Sequence, residues 1–139
     1  KNYLNNILNS SDILKKITYP LQILNLNEYL RKDKDENIQA LLNKLNVKYL
    51  DAFMSSVDIS ECIMGNNFKF LNETFKEDKD EKIQDKLQDF NKACLDAMIE
   101  NLSNIRIYMF RANLQILNDI FKENKDENIQ DKLKQLNQI

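Results

Sequence analysis

Histidine and tryptophan are absent from the 139 residues, which contain one glycine and one proline. Without histidine the chain lacks the side chain that most often serves as a general base or binds a transition metal near neutral pH. Nor does it carry a Gly-rich phosphate loop, a Cys-x-x-Cys pair or a serine-nucleophile motif. The expectation is a protein that is not an enzyme and needs no cofactor or metal. Scarce glycine and proline leave little material for strands and tight turns with special backbone angles, so helix is the default. No apolar run reaches the length of a membrane span. Twenty basic and 22 acidic residues are interspersed, for a net charge of −2. No basic face for nucleic acid stands out, and the composition leaves membrane contact open.

What the chain does have is a short acidic mark that occurs three times: Asp33-Lys-Asp-Glu36, Asp78-Lys-Asp-Glu81 and Asn124-Lys-Asp-Glu127. Each mark is followed by Ile-Gln and an apolar periodic run. An Asp or Asn with Glu three residues later reads as a helix N-terminus, the first side chain accepting from a free backbone N–H and the Glu reaching back. Basic residues stand before each mark, where a preceding helix would end. The marks therefore predict tight turns near residues 33, 78 and 124. In Asp33-x-Asp35-x-Asn37 they superficially resemble a calcium loop. Ile38 and Ile83 occupy the position where such a loop needs glycine, and Lys44 and Asp89 the position of its bidentate Glu. Capping explains the acids better.

The marks are 45 and 46 residues apart, and similarity extends beyond them. Leu50-Asp-Ala52 recurs as Leu95-Asp-Ala97, Tyr3-Leu4 echoes Tyr49-Leu50, and Leu26-Asn27 recurs as Leu71-Asn72 and Leu117-Asn118. The chain reads as about three degenerate copies of one helical unit, the outer one split between the termini. The fold expected is all-α, an antiparallel bundle of long helices over about 2–32, 35–77, 80–123 and 126–139. Pro20 and Gly65-Asn66-Asn67 are the weak points, and an uninterrupted third helix would be about 65 Å long. The rival arrangement is a solenoid of hairpins bent near Ser55-Ser56 and Ser103-Asn104. The bundle is preferred because the apolar period of the third helix crosses Ser103 without a change of phase. Lys1 stands where a full gene product has Met, so 1–139 reads as a single helical domain that is a fragment or mature form of something longer.

Two features remain. Cys62 and Cys94 each lie 16 residues from Asp78 and would be level in an antiparallel helix pair. A disulfide is expected in preference to two buried thiols, and it would imply an oxidising compartment. In Ile105-Arg-Ile-Tyr-Met-Phe-Arg111, a second apolar stripe (Ile107, Phe110, Leu114, Leu117) lies more than 100° from the stripe of Ile105, Met109 and Ile116. Helix 4 is too short to cover it all, which leaves either burial of the remainder under helix 1 or a surface that a partner covers. Tyr and Arg around an apolar patch carry interface energy efficiently, so Arg106, Ile107, Tyr108, Phe110 and Arg111 are the expected partner-binding surface.

Breaker-poor helices, heavy Asn, Lys and Ile usage and the paired cysteines resemble secreted or surface helical antigens of A+T-rich apicomplexan parasites such as Plasmodium and Babesia. Helical surface lipoproteins of Borrelia are the second resemblance. Either implies a non-enzymatic secreted or cell-surface antigen that meets a host protein, an antibody or a second copy of itself. The alternatives are a membrane-active bundle of the cell-traversal type and an intracellular helical-repeat scaffold.

Overall fold

The computed structural model describes residues 2–139. Among the described residues there are nine α-helices and no strand. The helices are α1 (Asn2–Leu8), α2 (Ile13–Lys16), α3 (Pro20–Leu30), α4 (Glu36–Ser56), α5 (Ile59–Met64), α6 (Asn67–Phe75), α7 (Glu81–Glu100), α8 (Ile107–Phe121) and α9 (Glu127–Asn137). The chain is an all-α protein.

The three expected turns are present and share one hydrogen-bond pattern. At the first, Asp33 Oδ1 accepts from Asp35 N at 2.8 Å, and Asp35 Oδ1 accepts from Asn37 N at 2.8 Å. The second repeats this with Asp78 and Asp80, the third with Asn124 and Asp126. The N-cap is thus the third residue of each mark, an Asp, while the first residue, Asp or Asn, holds the turn itself. The tie across each turn comes from the glutamine of Ile-Gln. Gln39 Nε2 donates to Leu30 O and Asp33 O, Gln84 to Phe75 O and Asp78 O, and Gln130 to Phe121 O and Asn124 O, all within 2.8 Å. The last carbonyls of a helix have no partner inside it, and one side-chain amide supplies two.

The long helices expected between the turns are broken, at positions close to those of the rival hairpin arrangement. Pro20 is the first residue of α3, where its missing N–H costs nothing. Thr18 N and Tyr19 N both donate to Gln22 Oε1, closing that end. α4 stops at Ser56, where Ser55 Oγ and Ser56 Oγ donate to Asp51 O and Ala52 O and Val57 turns extended. Asp58 then caps α5 as Asp12 caps α2. The expected third helix, 80–123, is interrupted over residues 101–106. There Asn101 Nδ2 donates to Ala97 O at 2.7 Å, Asn104 N donates to Asn101 O, and Arg106 is extended. Short polar side chains that bond the local backbone offer it an alternative to the helix. Ile105 is buried within the bend.

The chain divides into two compact units, one of residues 2–57 and 70–87, the other of residues 58–69 and 88–139. In the first, α1, α2 and α3 each pack on α4. Its core is aliphatic and aromatic, with Leu4, Ile23, Leu45, Leu50, Leu71, Phe75 and Ile83 fully buried and Tyr49 stacked on Phe53 at 5.8 Å. A buried amide pair joins α3 to α4. Asn27 Nδ2 donates to Asn46 Oδ1 at 2.9 Å and Asn46 Nδ2 returns a bond to Asn27 Oδ1 at 2.8 Å. In the second unit α8 packs on α5 and on α9, around Ile63, Phe68, Phe90, Cys94, Met98, Leu117, Phe121 and Leu136. Asn118 and Asn137 form the corresponding reciprocal pair, at 3.0 and 2.9 Å, near the surface.

Candidate functional site at the start of α8

Cys62 and Cys94 both belong to the second unit, and both are buried free thiols. The expected disulfide is therefore corrected. Level placement assumed two unbroken helices on either side of Asp78. Instead, Cys62 sits on the six-residue α5, set off by Val57-Asp58 and Gly65-Asn66. Burial pushes the Cys62 thiol up to about 12, with Asp58 and Glu61 adding to the effect, and burial raises Cys94 as well. Protonated, desolvated thiols behave as small hydrophobes.

The end of α5 needs help because Ile63 O is among its last, unpaired carbonyls. Asn113 of α8, fully buried, donates to it at 2.6 Å. α8 thereby covers α5, and Cys62 and Ile63 are 1% and 0% exposed.

The stretch from Arg106 to Arg111 forms the cap and first turn of α8. Ile107 is 67% exposed and Tyr108 60% exposed, Arg106 and Arg111 are exposed, Phe110 is half-buried and Met109 is buried. Ile107, Phe110 and Arg111 line a groove of about 260 Å³ together with Leu102, Ile105 and Ile139. Arg106 and Tyr108 share the same turn outside that lining. Leu102 and Ile139 are not among the residues expected at this surface, and Ile105 is buried. Ile105 was assigned to the core stripe of a continuous helix, and the bend at 101–106 makes it part of the groove floor. Between Glu100 and Asp119 there is no acidic residue, and the only charges in the interval are those of Arg106 and Arg111.

A larger groove of about 610 Å³ lies in the first unit, along α4 and the start of α7. Three of its charged groups are engaged in holding the fold. Lys48 Nζ donates to Leu8 O and Ser10 O, Asp51 pairs with Lys86, and Asp80 accepts from Asn43 at 3.0 Å. The Asn43 bond, with help from the N–H groups of Ile83 and Lys82, holds the Asp80 carboxyl below its ordinary range. Among the described residues no group of His, Cys, Asp or Glu is arranged to hold a metal ion, and no helix is long and apolar enough to cross a membrane. Comparison with known protein families, with curated proteins and with solved structures finds no match to this chain.

Proposed function

We propose that this chain is a non-enzymatic, partner-binding helical module whose contact surface is the first turn of α8: Arg106, Ile107, Tyr108, Phe110 and Arg111. The observation that carries the reading is the exposure of Ile107 and Tyr108 beside an apolar groove. Both leave apolar area in water that a partner would cover, at about 25 cal/mol per Å².

The module is a short array of degenerate units of 45 to 46 residues. Supporting this are the three turns with one bonding pattern and the pairing of Asp51 with Lys86 and of Asp96 with Lys132, residues offset by 45 and 46 positions. In such arrays each unit packs on its neighbours. A secreted or surface antigen meeting a host protein fits the resemblance in composition. The two free thiols favour the alternative of an intracellular helical-repeat scaffold, because the bridge that argued for an oxidising compartment is not formed.

The test uses Ile107→Asp and Tyr108→Ala, made singly. Both should keep the helical circular dichroism and the urea midpoint of the parent, since exposed side chains contribute within about 0.5 kcal/mol. They should lower the fluorescence of anilinonaphthalene sulfonate bound to the native protein. Unfolding by both variants would mean the stripe is core and would overturn the assignment. Leakage of liposomes by the parent would favour the membrane-active reading instead.

A further inference from the structure

We propose, resting on that reading, that the occupant of the α8 face is an amphipathic helix of a partner protein with carboxylates flanking its apolar stripe. The shape of the occupant follows from a comparison inside the chain. Shifted by 46 residues, Glu61-Cys62-Ile63-Met64 of α5 falls on Ile107-Tyr108-Met109-Phe110 of α8. In α5 the inner side of this turn packs against a helix, α8 itself, leaving Cys62 1% and Ile63 0% exposed while Glu61 and Met64 are exposed. In α8 the corresponding Tyr108 is 60% exposed and Ile107, which replaces a glutamate, is 67% exposed. The turn of α8 thus exposes an isoleucine where α5 exposes a glutamate, and at Tyr108 it lacks the cover that Cys62 has. A helix is the element that covers it elsewhere in this fold, with apolar side chains three and four residues apart reaching the groove between Leu102, Ile107 and Phe110.

The chemistry of the occupant follows from charge. Arg106 and Arg111 stand where α5 has Ser60 and Gly65, so both cations are additions specific to this face. Neither has an acidic neighbour in sequence from Asn101 to Asn118. Both are exposed, and each guanidinium presents a planar fork of donors suited to a carboxylate. Two copies of the chain meeting through this face would bring four arginines together, which opposes a symmetric self-contact. An apolar helix with glutamates along its edges satisfies the groove and both cations at once.

The probe is a fluorescein-labelled synthetic helical peptide of four turns, with leucines at i, i+3, i+4 and i+7 and glutamates beside them. A second peptide carries lysines in place of the glutamates. Fluorescence anisotropy against the parent protein should show the acidic peptide bound at least about tenfold more tightly, with the gap closing at high salt. Arg106→Glu with Arg111→Glu should reverse the order, and Ile107→Asp should abolish binding of either peptide while the circular dichroism stays unchanged. Equal affinity for both peptides, lost in Ile107→Asp, would overturn the acidic chemistry and leave the face as an interface. Binding of neither peptide, or binding indifferent to Ile107→Asp, would overturn this proposal and the underlying reading together. A dimer in sedimentation that Ile107→Asp disperses would overturn it in favour of a second copy. Leakage of anionic vesicles abolished by the double arginine variant would overturn it in favour of a lipid surface.

Discussion

Replacing Asn27 by alanine tests how a buried amide pair holds two helices together. Asn27 is 0% exposed and Asn46 2% exposed, and the two side chains exchange both of their possible mutual bonds. Asn27 also donates to Ile23 O at 2.8 Å. With alanine at 27, the carbonyl and amide of Asn46 remain in a site closed to water. A buried polar group left without its partner costs about 1–3 kcal/mol, so the expected loss is roughly 2–5 kcal/mol. Urea unfolding followed by circular dichroism at 222 nm reads it directly, and the melting temperature should fall by about 10 °C. The chain carries its own control. Asn118 and Asn137 make the same reciprocal pair, but Asn137 is exposed and water replaces a lost partner, so Asn118→Ala should cost only about 0.5–1 kcal/mol. Substituting both Asn27 and Asn46 by leucine removes the amides together and should recover most of the loss, giving a coupling energy of about 2 kcal/mol. The reasoning fails if Asn27→Ala costs no more than Asn118→Ala, or if the effects of the two leucine substitutions simply add.

Gly65 has φ −130° and ψ −155°, and a Cβ built there meets only Glu61 O at 3.8 Å. Gly65→Ala should therefore be neutral or stabilise by about 0.4–1 kcal/mol in the same urea assay, through the lower entropy of the unfolded chain. The thiols of Cys62 and Cys94 titrate higher in the fold than their ordinary value of 9.0. Their contribution to stability is therefore full below pH 9 and is lost as pH rises toward 12, and iodoacetamide at pH 8 should label neither until urea unfolds the chain. Asp80 is shifted the other way, so its contribution is present above the ordinary carboxylate value of 3.8 and is lost as pH falls through its lower folded value. Asn43→Ala should move its titration, followed by carbon NMR of the carboxyl, back toward that ordinary value.

Class and punctuation were legible in the residues alone. Helix and the turns near 33, 78 and 124 follow from local chemistry, because a cap needs only a side chain within a few residues of the N–H it serves. The second apolar stripe of α8 was legible, but its exposure was not: two stripes more than a quarter-turn apart need two sets of neighbours, and burial of Ile107 and Tyr108 under the first helix suited the residues as well as the exposure the structure shows. The signal for the two amide pairs was also there, since Asn27 and Asn46, and Asn118 and Asn137, are each 19 residues apart. It went unread because pairing needs a partner across a turn, and spacing does not name one. Only the tertiary structure decided where the helices break. An apolar stripe keeps its period on both sides of a bend, and the propensities of Asn101, Ser103 and Asn104 differ from those of good helix formers by only tenths of a kcal/mol. Packing contributions exceed such differences several-fold, and they depend on what the fold places against each side chain. The cysteines follow the same logic. Their level placement on unbroken helices was a statement about sequence distance, and the breaks at Val57 and Gly65 turned the expected bridge into two separate buried thiols.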